Sequence, residues 1–138
     1  MATAASSGHV VLVVDDNEML RESLADLLSD EGWSVLTAVN GADALERLRR
    51  VPRTHPCLIL LDLMMPVMDG REFYTQKQLD PELTSIPVVF MSAEGNLGRG
   101  AIPAGGEYLT KPMHIETVLG ALERHCGLAR PSWKATRE

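Results

Sequence analysis

The sequence is poor in the residues that most often announce a metal or redox centre. It has two cysteines, Cys57 and Cys126, with no CxxC pair, and four scattered histidines, His9, His55, His114 and His125. That scatter argues against zinc, which wants four nearby sulfur or nitrogen ligands. Cys57 lies in an apolar run and is expected to pack as a small hydrophobe rather than to form a disulfide. Positive charge is also short. Thirteen basic against 19 acidic side chains leave a net charge of −6, which speaks against nucleic acid as a direct ligand because phosphate binding wants a basic surface. No apolar run approaches the ~20 residues that span a bilayer. The opening MATAASSGH has no basic segment followed by an apolar one. No membrane association and a cytoplasmic location are the expectations.

What the chain does have is a regular alternation of elements over 138 residues, the length of one domain. Residues 1–8 read as a loose tail, 9–127 as the folded domain, and 128–138 as a polar tail or the start of a linker. The run VVLVV (10–14) has no polar alternation, which predicts a strand buried on both faces of a parallel sheet. Leu20, Leu24, Leu27 and Leu28 predict a helix with one apolar face, capped by Asn17 and ended by Gly32 in the left-handed conformation. WSVLTAV (33–39) reads as a second strand. Asn40 caps a second helix with Ala44, Leu45 and Leu48 inward.

CLILL (57–61) is a third buried strand that delivers Asp62. The loop LMMPVMDG (63–70) and a short helix around Phe73 and Tyr74 follow. VVFM (88–91) is a fourth strand ending at Ser92, and EYLT (107–110) a fifth ending at Lys111. Ile115, Val118, Leu119 and Leu122 mark a last helix that stops at Gly127. Between strands four and five, EGNLGRGAIPAGG (94–106) holds five glycines and a proline where the alternation calls for a helix. Interior glycine costs ~1 kcal/mol against alanine and proline ~3, so that fourth helix is expected to be short or irregular.

Strands alternating with helices predict an α/β fold with a parallel sheet, and such sheets bind ligands beyond the carboxyl ends of their strands. The polar residues fall at those ends. Asp15 and Asp16 close strand one, Asp62 strand three, Ser92 strand four and Lys111 strand five. Three converging carboxylates repel one another unless a cation joins them. An all-oxygen site selects a hard ion, Mg²⁺ above all. With it, Asp62 is a plausible nucleophile toward a phosphoryl donor, while Lys111 and Ser92 can serve the phosphoryl oxygens. Taken singly, Asp-Asp-Asn and a lone Asp read as a turn or cap, and a Lys-Pro pair says little; four such signals at the right ends of four strands are not a chance pattern.

These segments resemble the receiver domain of two-component response regulators. VVLVVDDNEML, CLILLDLMMPVMDG, PVVFMSAEG and EYLTKPM match its strand-one, acceptor, switch and Lys-Pro segments in order, over roughly residues 9–126. The resemblance implies a flavodoxin-like, doubly wound five-stranded sheet of order 2-1-3-4-5 with helices on both faces. It implies phosphoryl transfer to Asp62 from a histidine kinase, a phosphotransfer protein or acetyl phosphate. It implies Mg²⁺, which Mn²⁺ could replace, held by Asp15, Asp16, Asp62 and the backbone carbonyl of Met64. It gives Lys111 contact with the phosphoryl group and a cis bond to Pro112. It makes Ser92 and Tyr108 the moving pair, and it gives Met64 and Glu94 control over water at the aspartyl phosphate.

The chain departs from the family in one place. Only 19 positions separate Ser92 from Lys111, and the shortfall lies in the Gly-rich stretch, which is expected to be mobile. Partner-binding or dimerisation modes of the family therefore need not transfer. A stand-alone receiver is expected, acting through protein contact as a monomer or a phosphorylation-dependent dimer, and a signalling switch rather than an enzyme. A pseudo-receiver scaffold that works without phosphorylation is the alternative. A phosphohydrolase of the haloacid dehalogenase type would want a second Asp where Met64 stands, and a flavodoxin would not place two aspartates against a flavin phosphate.

Overall fold

The computed structural model describes residues 9–50, 55–93 and 106–127. Five strands, β1 (Val10–Val14), β2 (Ser34–Ala38), β3 (Leu58–Asp62), β4 (Val88–Ala93) and β5 (Glu107–Lys111), form one sheet. All four pairings are parallel and the order is β2-β1-β3-β4-β5. Four helices accompany them among the described residues: α1 (Glu18–Asp30), α2 (Gly41–Arg50), α3 (Gly70–Leu79) and α4 (Ile115–Cys126).

The unbroken apolar runs of β1 and β3 have a direct cause. Alternate residues of a strand point to opposite faces, and here both faces carry a core. Val11 and Val13 of β1, with Leu58 and Leu60 of β3, pack against Leu24 and Leu28 of α1 and Val118 and Leu122 of α4. Leu12 and Val14, with Ile59 and Leu61, pack against Ala44, Leu45 and Leu48 of α2 and Phe73 of α3.

The expected caps at Asn17 and Asn40 are present: the Asn17 side chain accepts from Leu20 N at 3.1 Å and the Asn40 side chain from Asp43 N at 2.8 Å. The structure adds one at Asp69, whose side chain accepts from Glu72 N at 2.9 Å. Gly32 follows α1 with φ 98°.

Two expectations need correction. Leu27 is 47% exposed rather than on the inward face of α1, because α1 packs chiefly through Leu24 and Leu28. Cys57 is not a free core thiol: it is joined to Cys126, with Cα atoms 5.6 Å apart, inside the separation a disulfide allows. The two residues are 69 positions apart in the sequence, and only the packing of α4 on β3 brings them together. The irregular fourth helix expected within 94–106 lies outside the described residues save for Gly106.

Candidate functional site

The sheet register fixes where the polar residues meet. Asp62 ends β3 opposite Met91 of β4, Ser92 follows Met91 and pairs with Thr110, and Ala93 pairs with Lys111. Asp15 extends β1 by one residue, its N–H donating to the Ala38 carbonyl at 3.1 Å. Asp15, Asp62 and Ser92 are buried; Asp16 is exposed.

Carboxylate oxygens of Asp15, Asp16 and Asp62 lie within 4.8 Å of one another. The Lys111 ammonium reaches two of these groups, at 3.0 Å from Asp15 Oδ2 and 3.1 Å from Asp62 Oδ1.

The charge balance is incomplete. Burial pushes the Asp62 carboxyl up to about 6, the Asp15 charge adds to the rise, and Lys111 and the Met64 backbone N–H only partly offset it. Burial alone would lower the Lys111 pKa, yet its hydrogen bond to Asp15 and the charges of Asp15 and Asp62 hold it above its ordinary value. One ammonium therefore serves a cluster of carboxylates that outnumbers it. An all-oxygen set carrying surplus negative charge at the end of a parallel sheet fits a hard divalent cation.

Three positioning features escaped the sequence reading. Asn17 N–H donates to Asp15 Oδ1 at 2.9 Å, which holds that carboxylate from outside the sheet, and Arg21 Nη1 donates to the Asp15 backbone carbonyl at 2.9 Å. Gly70 begins α3 directly against β3: its N–H donates to the Leu63 carbonyl at 3.0 Å. Third, the loop between them turns sharply at Val67 (φ 71°), closed by Met68 N–H on the Pro66 carbonyl at 2.7 Å. The Met-Pro and Asp-Gly pairs signal a turn but not this conformation, and nothing in the sequence signals Arg21.

The remaining candidates sit beside the carboxylates, elsewhere on β5 or outside the described residues. Tyr108 faces Phe90 in the β4–β5 register and is 47% exposed. The Met64 side chain is exposed beside the site, and Glu94 lies outside the described residues. Ser92 Oγ donates to the Ala93 carbonyl at 3.3 Å. The Lys111–Pro112 bond is cis.

The family model for the response regulator receiver domain matches residues 11–123. The chain belongs to that family. The receiver is 36% identical over 123 residues to Protein PilG of Pseudomonas aeruginosa, covering 87% of this chain and 89% of PilG. It is 36% identical over 134 residues to the probable transcriptional regulatory protein TcrX of Mycobacterium tuberculosis, covering 93% of this chain but only 55% of TcrX. Among solved structures it is similar to the chemotaxis response regulator CheY4 of Vibrio cholerae, with a TM-score of 0.73 and 30% identity over 84% of this chain and 97% of that one. The order 2-1-3-4-5 of the receiver sheet is thus a shared architecture, and among the described residues the polar strand ends converge on one edge of it.

Proposed function

We propose that this receiver takes a phosphoryl group onto Asp62 in a Mg²⁺-dependent reaction and uses it to change its contacts with a protein partner. The observation that carries the reading is the Lys111 ammonium shared between Asp15 and Asp62, at 3.0 and 3.1 Å, beside a third carboxylate. Asp15, Asp16 and Asp62, with the Met64 backbone carbonyl, would hold the ion, and Mn²⁺ could replace it. When bound, the cation neutralises the carboxylates and draws charge from the phosphoryl oxygens.

The chain's own residues then divide the work. An Asp62 carboxylate oxygen attacks phosphorus as the bond to the donor's imidazole or acetate oxygen breaks. Lys111 sits against Asp62 and is placed to pair with a phosphoryl oxygen. Ser92 can turn its hydroxyl there by giving up one long local hydrogen bond of 3.3 Å. Tyr108, half exposed on β5, is the group that would turn inward behind it. Met64, and Glu94 by resemblance, would govern water attack on the aspartyl phosphate.

The donor is a histidine kinase, a phosphotransfer protein or acetyl phosphate. The setting is the cytoplasm, and the output is protein contact by a monomer or a phosphorylation-dependent dimer. The intact set Asp15, Asp16, Asp62, Ser92 and Lys111 leaves the pseudo-receiver scaffold with no observation in its favour.

Beryllofluoride, which mimics an aspartyl phosphate, tests the reading. The wild type should bind it only with Mg²⁺ or Mn²⁺ present, and Asp62→Ala should not bind it under any condition. Equal binding by both proteins would remove Asp62 from the role.

A further inference from the structure

The bond between Cys57 and Cys126 lies at the opposite end of β3 from Asp62. Both cysteines are partly buried residues at the margin of one apolar core, the one that holds Leu58, Leu60, Val118 and Leu122. The position of the bond is specific. Cys57 immediately precedes β3, the strand that ends in Asp62, and Cys126 is the last residue of α4. The bond ties the C-terminal end of the last helix to the foot of the acceptor strand.

We propose that Cys57 and Cys126 form a reversible thiol–disulfide couple, a site of oxidative modification that locks the end of α4 to the foot of β3. Three observations support both states of the couple. Both residues are only partly buried, so a small thiol or disulfide can reach them. Their Cα atoms, 5.6 Å apart, lie in the range a disulfide spans without backbone movement. The Cys57 sulfur stands 3.3 Å from the Val10 carbonyl oxygen. In the disulfide that sulfur has no hydrogen to give; once reduced, the thiol has an acceptor in place.

Other contacts of the last turn do not depend on the bond. Arg124 and His125 both reach Glu107 at the start of β5, and Gly127 N–H donates to the Glu123 carbonyl at 3.0 Å. The last turn is therefore tethered at β5 in either state and at β3 only in the oxidised one. In a reducing compartment the dithiol is the resting form and the bond marks an oxidising event.

The oxidant is a low-molecular-weight disulfide such as oxidised glutathione. One cysteine thiolate attacks a glutathione sulfur, forming a mixed disulfide and releasing one glutathione thiolate. The second cysteine thiolate attacks the protein-side sulfur and releases the other. The two protons given up by the cysteines end on the two glutathiones, which carry away the two electrons.

The test is a titration of the full chain across glutathione redox ratios, quenched by alkylation and read by intact mass. The couple predicts one two-electron transition in which both thiols disappear together, reversed on return to reducing ratios. Asp62→Ala should show the same transition, which separates this result from that of the phosphoryl reading. Thiols that stay alkylatable throughout, glutathione adducts or chain–chain dimers in place of the internal bond, or a bond that never reduces would each overturn the proposal. Amide hydrogen exchange at residues 123–127 reads the lock itself. Reduced wild type and oxidant-treated Cys126→Ser should both exchange about tenfold faster than oxidised wild type. Equal rates in the oxidised and reduced wild type would overturn the locking role.

Discussion

A Cβ placed on Gly70 would stand 2.5 Å from the carbonyl oxygen of Asp62 and 3.0 Å from the Leu63 Cα. The first residue of α3 thus packs directly on the backbone that presents the Asp62 carboxylate. Both obstacles are main-chain atoms, at the end of β3 and one residue beyond it, so neither can swing aside. Gly70→Ala should destabilise by about 1–3 kcal/mol and slow phosphoryl uptake by displacing Asp62. Gly120→Ala is the control: its new methyl meets only the Arg124 Nη1, at 3.9 Å, and helix propensity favours it by up to about 1 kcal/mol. Thermal unfolding of the two variants should shift in opposite directions; a loss of stability in Gly120→Ala equal to that in Gly70→Ala would contradict the account.

Val67 combines a branched side chain, 80% exposure and φ 71°. A β-branched residue is a poor occupant of that region, and the side chain gains little from burial. Val67→Gly should therefore stabilise by about 1 kcal/mol despite the greater freedom of the unfolded chain. An increased urea midpoint at unchanged slope is the expected signature.

Asp62 has a folded-state pKa of about 6 against an ordinary 3.8. A carboxyl raised by folding stabilises the native state below its ordinary pKa and loses that contribution as pH rises through the folded value. In cation-free buffer, removing the charge with Asp62→Asn should stabilise by about 1–3 kcal/mol at neutral pH, and the gain should fade as pH drops from about 6 toward about 4. Denaturant unfolding in EDTA across that window measures it, and a gain independent of pH would count against the shift.

Lys111 is the counter-charge for two buried carboxylates. Lys111→Ala should cost about 1–3 kcal/mol in EDTA, because it leaves Asp15 and Asp62 facing each other with their main cation gone. It should also drive the Asp62 pKa further upward. Added Mg²⁺ should recover much of the lost stability, since a divalent ion supplies the missing charge. Calorimetry with and without Mg²⁺ decides this, and a loss that Mg²⁺ leaves untouched would mean the carboxylates do not share the ion.

Much of the fold could be read directly because local signals and packing agree. The runs at 10–14 and 58–61 lack polar residues because both sheet faces are covered, and Asn17, Asn40 and Gly32 sit where their backbone chemistry requires. The grouping of Asp15, Asp62, Ser92 and Lys111 was legible from one rule, that parallel sheets gather ligands at the carboxyl ends of their strands. What escaped depended on distances through space. Leu27 fits the apolar spacing of α1, yet the helix meets the sheet through Leu24 and Leu28. The Cys57–Cys126 bond joins residues that no spacing relates. Gly70 announces a turn, but its contact with the Asp62 carbonyl appears only once α3 is laid against β3.

The most direct measurement is intact-mass and peptide analysis of the protein after incubation with acetyl phosphate and Mg²⁺. The account predicts a single phosphoryl adduct mapped to Asp62, lost in Asp62→Ala and absent in EDTA. A wild-type protein that stays unmodified under these conditions, or an adduct that survives Asp62→Ala, would contradict it.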